Sequence, residues 1–157
     1  ADCRKLEDTF KQQFDAIISI DSALNHLLCQ EDITTALRSI YNRLFTGGIF
    51  IASFRDYDEM LKQKPIWAYP IRYHMTSNGS AIILRHLTWN NSICTSNQFY
   101  IDIPKDEQPK LFHNTYKQWA ITRSELLSIS RNVPFSKAFW LSPEESGFYQ
   151  QIFCAIK

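Results

Sequence analysis

The sequence predicts an α/β fold: half of a doubly wound sheet, with a small antiparallel layer inserted into it. Three observations carry this. A strand, a helix and a second strand are legible between Phe14 and Phe54. Alternating residues punctuated by turn signals follow from Tyr69 to Ile101. Two more strands, joined by a short connection, close the chain.

Residues 14–20, FDAIISI, form a short apolar run rich in isoleucine. Such a run predicts a strand buried on both faces, as in parallel sheets. In EDITTALRSIYNRLF, residues Ile33, Ala36, Leu37, Ile40 and Leu44 fall on one helical stripe. Glu31 and Asp32 in the first turn and Arg43 in the last suit the helix dipole. Gly47-Gly48 is expected to end this helix, where a positive φ is wanted. IFIASF, residues 49–54, reads as the second buried strand, which makes a right-handed βαβ unit.

A short helical stretch is expected from Arg55 to Lys64. Then Tyr69, Ile71, Tyr73 and Met75 alternate with Pro70, Arg72, His74 and Thr76. SNGS (77–80) supplies an Asn-Gly hairpin signal, and AIILRHLTW (81–89) pairs back. Asn90-Asn91 marks a second turn, and Ile93 to Ile101 a third strand. PKDEQPK (104–110) reads as a loop. This antiparallel insertion occupies 66–121 of an otherwise single domain. Thr122 and Glu125 have capping-box spacing and start a helix that Val133-Pro134 stops. SKAFWL (136–141) and GFYQQIFCAIK (147–157) are the last strands. The short SPEES between them makes them antiparallel.

Composition narrows the function. The length fits one domain able to bury a core without staples. A net charge of +1 gives no electrostatic basis for binding nucleic acid or a membrane. No apolar run approaches the ~20 residues that span a bilayer. Cys3, Cys29, Cys94 and Cys154 are scattered, with no CxxC or Cys/His cluster, so no metal site is expected. Scattered thiols are expected reduced, in a cytoplasmic protein.

The order of motifs resembles the second half of a class I S-adenosylmethionine-dependent methyltransferase, a Rossmann-like fold. The small-molecule branch that includes glycine/sarcosine N-methyltransferases is the most similar. Asp21-Ser22-Ala23-Leu24-Asn25-His26-Leu27 looks like that branch's strand-end segment. Leu44-Phe45-Thr46-Gly47-Gly48 resembles its Leu-x-Pro-Gly-Gly turn, with Thr46 in place of proline. Arg55-Asp56-Tyr57 matches an Arg-Asp-Tyr after the next strand, and WLSPEESGFYQQIFCAIK resembles the closing antiparallel pair. The implied sheet has parallel strands plus an antiparallel last strand, with the meander inserted.

The resemblance implies S-adenosylmethionine as cofactor and methyl transfer to a small-molecule N- or O-nucleophile. It places Asp2 and Cys3 beside the adenine. Ile20, Asp21, Ser22 and Ala23 would line the cofactor and the transfer cleft. It also places the first strand, its glycine-rich turn and a ribose-gripping acidic residue before Ala1. The chain therefore reads as an N-terminally truncated domain. Its four glycines (Gly47, Gly48, Gly79 and Gly147) form no such turn. Without a neighbour the strand at 14–20 becomes an apolar edge, for which self-association is expected.

Each candidate has two readings. Asp21 and Ser22 end a strand where α/β sheets bind ligands, or Asp21 caps the turn. His26 is the proposed catalytic residue, orienting substrate or accepting a proton, or a packed histidine. Methyl transfer from a sulfonium is an in-line displacement that needs alignment first, and a base only for a protonated nucleophile. Arg55 clamps a substrate carboxylate, or pairs with Asp56 at the surface. Tyr57 shapes the substrate end, whereas Asp56 fits a helix cap. Tyr69, Arg72, Tyr73, His86 and Trp89 roof the pocket or build a core, and Tyr149 and Gln150 share that ambiguity. Two rival functions stand beside the enzyme: a non-catalytic methyltransferase-like remnant serving as an interaction or oligomerisation module, and an unrelated α/β binding protein.

Overall fold

The computed structural model describes residues 1–68 and 71–157. The chain divides into two compact units, one formed by residues 1–59 and 119–157, the other by 60–118.

The first unit begins with a 3₁₀ turn, Cys3–Lys5, and α1, Leu6–Thr9. β1, Phe14–Ser19, follows, then a second 3₁₀ turn, Ala23–His26. α2 spans Gln30–Arg43, β2 Leu44–Phe54 and α3 Tyr57–Gln63, whose last four residues lie in the second unit. After the second unit come α4, Arg123–Ser130, and β7, Lys137–Leu141. α5, Pro143–Ser146, and β8, Gln151–Ile156, complete the unit. The sheet order is β1-β2-β8-β7. β1 and β2 are parallel, and β8 is antiparallel to both β2 and β7. Three strands thus run one way, and the last strand enters between two of them against the rest.

The stripe on α2 explains the layer it forms. Ile33, Ala36, Leu37 and Ile40 are buried with Phe50, Ala52 and Phe54 of β2, Leu126 and Ile129 of α4, and Phe153 and Ala155 of β8. Trp140 packs edge-on to Phe54 and Phe153, each at 5.3 Å between centroids. The Thr122–Glu125 capping box forms as the spacing predicts, and a second box, Ser142–Glu145, starts α5.

The structure corrects several expectations. The strand at 14–20 is not buried on both faces. β1 is the outer strand of its sheet, and Ile18 and Ile20 are 65% and 58% exposed. Gly47-Gly48 does not end α2, which stops at Arg43. The pair lies inside β2, where the register with β1 shifts between Phe14 and Ala16. Gly47 has φ +81, and a Cβ on Gly48 would lie within 3.0 Å of the Asp15 carbonyl oxygen. These glycines therefore let β2 bulge against the backbone of β1. The helical stretch after β2 starts at Tyr57 rather than Arg55, and the last strand starts at Gln151.

The second unit is a meander in the order β3-β4-β5-β6. Its strands are β3, Arg72–Thr76, β4, Gly79–Asn90, β5, Ile93–Pro104, and β6, Lys110–Trp119, whose last residue lies in the first unit. Thr76 pairs with Gly79, so the hairpin loop is Ser77-Asn78, one residue earlier than the Asn-Gly signal suggests. The second turn forms at Asn91, which adopts φ 52. β5 runs on to Pro104, and β6 is a fourth strand that the sequence reading leaves unassigned. Its mixed segment KLFHNTYKQW is mostly exposed, which hides the alternation that marks a half-buried strand. Tyr69 lies outside the described residues. Among the described residues, no helix is long and apolar enough to cross a membrane, and no His/Cys/Asp/Glu group could hold a metal ion.

Candidate functional site

The carboxyl ends of β1 and β2 are tied by a small polar clasp. Asp21 and Ser22 both adopt left-handed backbone angles, φ 56 and 58. For a residue other than glycine this conformation costs roughly 1–2 kcal/mol, so something must hold it. The Asp21 amide donates to Ser53 Oγ at 2.9 Å, and the Ser22 amide to the Ser53 carbonyl at 3.1 Å. The Ser22 carbonyl accepts the Asn25 amide at 3.1 Å. The Ser22 hydroxyl oxygen accepts the Arg55 amide at 3.2 Å. Ser22 and Ser53 are each only 1% exposed. Two buried serines, Ser53 in β2 and Ser22 just past β1, thus turn the chain sharply out of β1.

That turn aims the Asp21 side chain at the far end of the sequence. The Tyr149 hydroxyl donates to Asp21 Oδ1 at 2.9 Å. Tyr149 stands 68% exposed beside the ring of Phe148, at 4.6 Å between centroids. Gly147, with φ 69, caps α5 and delivers this aromatic pair. Two residues proposed independently from sequence therefore meet.

Arg55 is half-buried at the end of β2, and its guanidinium makes no hydrogen bond or ion pair among the described residues. Its pairing with Asp56 does not form. Asp56 instead accepts the Glu59 amide at 3.1 Å and caps α3, as its position suggests. Tyr57 is 2% exposed, so its ring belongs to the interior. His26 closes the Ala23–His26 turn and is exposed, as are Ala23 and Ile20.

Asp2 and Cys3 reach the same end of the sheet. The Arg4 guanidinium bridges Asp2 at 2.8 Å and Asp32, in the first turn of α2, at 2.9 Å. The Asp2 carboxylate also accepts the Arg4 amide and caps the first turn. The hydrogen bonds from Arg4 hold its pKa down at about 2. Cys3 is half-buried against the core, and burial raises its thiol pKa. Asp2 is thus committed to Arg4 and Cys3 to packing.

Arg72 and Tyr73 lie exposed on β3 of the second unit. His86 packs on Trp67 at 5.0 Å, and Trp89 Nε1 donates to the Pro65 carbonyl at 2.9 Å, so these two side chains brace their own sheet.

Sequence reasoning missed Ser53 and Asn25. Asn25 is fully buried, and its Nδ2 donates to the Trp119 carbonyl at 2.6 Å. Its Oδ1 is a buried acceptor with no partner among the described residues. The available signal was a polar residue inside each apolar segment, IFIASF and DSALNHLL. A shallow cleft lined by Gln30, Glu31, Thr34, Thr35, Arg38 and Asn132 contains none of the candidate residues.

No protein-family model and no curated protein sequence matches this chain; the likeness lies in the fold. DesVI of Streptomyces venezuelae superposes with a TM-score of 0.80 at 12% identity, over 99% of this chain and 63% of its own. CalS10 of Micromonospora echinaspora, an amino pentose methyltransferase solved with S-adenosylmethionine bound, gives 0.75 at 15% identity, over 99% and 62%. KedS8, a sugar N-methyltransferase of a Streptoalloteichus species, gives 0.76 at 11% identity, over 100% and 60%. The fold is that of class I S-adenosylmethionine-dependent methyltransferases. The chain spans about three fifths of the length of these structures. Its α/β layout with an antiparallel insertion is the methyltransferase fold that the motifs predict. The narrower glycine/sarcosine branch has no such support.

Proposed function

We propose that these residues form the strand-end half of a methyltransferase site, serving transfer from S-adenosylmethionine to a small-molecule N- or O-nucleophile. The observation that carries this reading is the Ser22–Ser53 clasp. It holds two strained residues just past the carboxyl end of β1, beside that of β2, the place where α/β sheets bind ligands.

Two features of this end of the sheet fit the cofactor. The turn exposes Asp21 and the small side chain of Ala23, and Asn25 keeps an unused buried acceptor. Both suit a ligand that brings hydrogen-bond donors. Asp21, Ser22, Ala23 and Ile20 would hold the cofactor; Asp2 and Cys3 would flank its adenine through backbone, because their side chains are committed. When bound, S-adenosylmethionine supplies an electrophilic methyl group. Arg55, with its guanidinium unpaired, would fix an anionic group of the acceptor. His26, exposed at the end of its turn, would accept a proton from a protonated nucleophile. Tyr149, exposed beside Asp21, completes the proposed acceptor-contacting set.

Calorimetric titration of S-adenosylhomocysteine into the folded chain tests the reading. One-to-one binding at micromolar concentrations is expected, with loss of affinity in Ser53→Ala. A chain folded by circular dichroism that takes up no ligand would overturn it for these residues. A non-catalytic interaction module is the second reading, and the open edge of β1 is the observation that favours it.

A further inference from the structure

We infer that one face of the second unit binds a phosphate group, held by Arg72 and Arg85. The inference stands apart from the methyl-transfer reading, because every residue it uses lies in the second unit. The net charge of +1 hides an uneven split. Residues 60–118 carry seven lysines and arginines against three acidic residues, a formal +4, and the first unit carries ten against thirteen, a formal −3. A local excess of that size attracts anions, whatever the balance of the whole chain.

The sheet register says where part of that excess gathers. Arg72 of β3 pairs with Ile83 of β4, and Arg85 follows two residues later. Residues two apart in a strand share a face. The two arginines are therefore diagonal neighbours, about 7–8 Å apart and within reach of each other's long side chains. Arg85 is opposite Gln98, and Ile83 is opposite Tyr100, which brings both of those β5 side chains to the same face. Among the described residues none of these four side chains makes a hydrogen bond or an ion pair, although Arg85, Gln98 and Tyr100 are half-buried. Ser96, opposite Leu87 on this face, is 2% exposed, and its hydroxyl has no partner among them either. Polar groups on the other face are occupied: Thr115 donates to Asn97 at 2.9 Å, and His113 stacks on Phe99 at 4.8 Å. The arginine face also holds Asp102, opposite Ala81. Its charge acts on Lys110, whose pKa is raised first by Glu107 and then by Asp102. Two unpaired guanidiniums side by side repel, and half-buried donors ordinarily find acceptors. A phosphate dianion answers both. It brings two charges to two arginines, and its oxygens accept from guanidinium, amide and hydroxyl alike. A carboxylate brings one charge and two oxygens, and fills the set less well.

The test is a titration of the isotope-labelled chain at neutral pH with inorganic phosphate, and separately with acetate, at constant ionic strength. Signals are read at the Nε–H groups of Arg72 and Arg85 and at the side-chain amide of Gln98. Phosphate is expected to shift all three along one saturating curve in the millimolar range, and acetate to shift them less. Arg72→Gln and Arg85→Gln should each weaken phosphate binding about tenfold, the worth of a charge-assisted hydrogen bond. Lys117 lies two residues from Thr115, on the other face of the same sheet. Lys117→Gln removes a charge there and should leave binding unchanged. Shifts that stay linear, an acetate response equal to that of phosphate, or equal losses in Lys117→Gln and Arg85→Gln would overturn the site. The titration of the unsubstituted chain decides the matter by itself should a variant fail to fold. Phenyl phosphate then separates an ester from the free ion. Tighter binding, with shifts at the Tyr100 and Phe112 rings, 6.0 Å apart, assigns an ester, equal affinity assigns the free ion, and both keep the site.

Discussion

Ser53→Ala is the most direct test of the clasp. The Ser53 hydroxyl oxygen accepts the Asp21 amide at 2.9 Å from a position 1% exposed. Truncation removes that acceptor. Asp21 itself is exposed, so water can partly replace it, and the loss falls near the ordinary worth of a hydrogen bond, about 1 kcal/mol. The left-handed cost of Asp21 and Ser22, roughly 1–2 kcal/mol each, pushes in the same direction, because it is released whenever the turn opens. The main-chain bond from Ser22 to the Ser53 carbonyl survives the substitution. The expected result is a local effect. Amide hydrogen exchange at Ser22 and Asn25 should quicken about fivefold, as 1 kcal/mol implies. Phe153, fully buried in β8, should change far less. Uniform acceleration at all three amides would mean that Ser53 serves only global stability. No acceleration at Ser22 would refute the clasp altogether.

Ile18→Lys places a charge on the exposed apolar edge of β1, and should convert a self-associating chain into a monomer by light scattering; a monomeric parent chain would sink the proposal of edge pairing. Asp2 has a folded pKa of about 2 against 3.8 for the free group, so its cap is fully present above about pH 4 and is lost as pH falls through the folded value. The carboxyl carbon signal of Asp2 should therefore titrate near pH 2, and in Arg4→Ala it should move up toward the ordinary carboxylate range; a signal that titrates alike in both would refute the pairing.

The site was legible in sequence only where chemistry and strand position coincide. Asp21, Ser22 and Arg55 each follow an apolar run, and strand ends are where ligands bind, so the sequence marks them as candidates. Ser53 was read as one letter of a buried strand. Its role depends on which residue of β1 lies beside it, and that register is not written in either segment alone. Tyr57 has a polar ring that invites a functional reading, but the start of α3 buries it.

The sequence by itself determined the βαβ unit, the capped helix at Thr122 and the closing antiparallel pair, because periodicity, caps and turns act over a few residues. Tertiary structure alone decided the rest. It left Ile18 exposed, because the cover over each face of a strand is set by the elements packed on the sheet rather than by the strand's own composition. It moved Gly47-Gly48 from a helix cap to a bulge, because the backbone of β1 passes too close for a Cβ at Gly48. It also joined Tyr149 to Asp21 across most of the chain, a contact that exists only once β8 has entered the sheet beside β2.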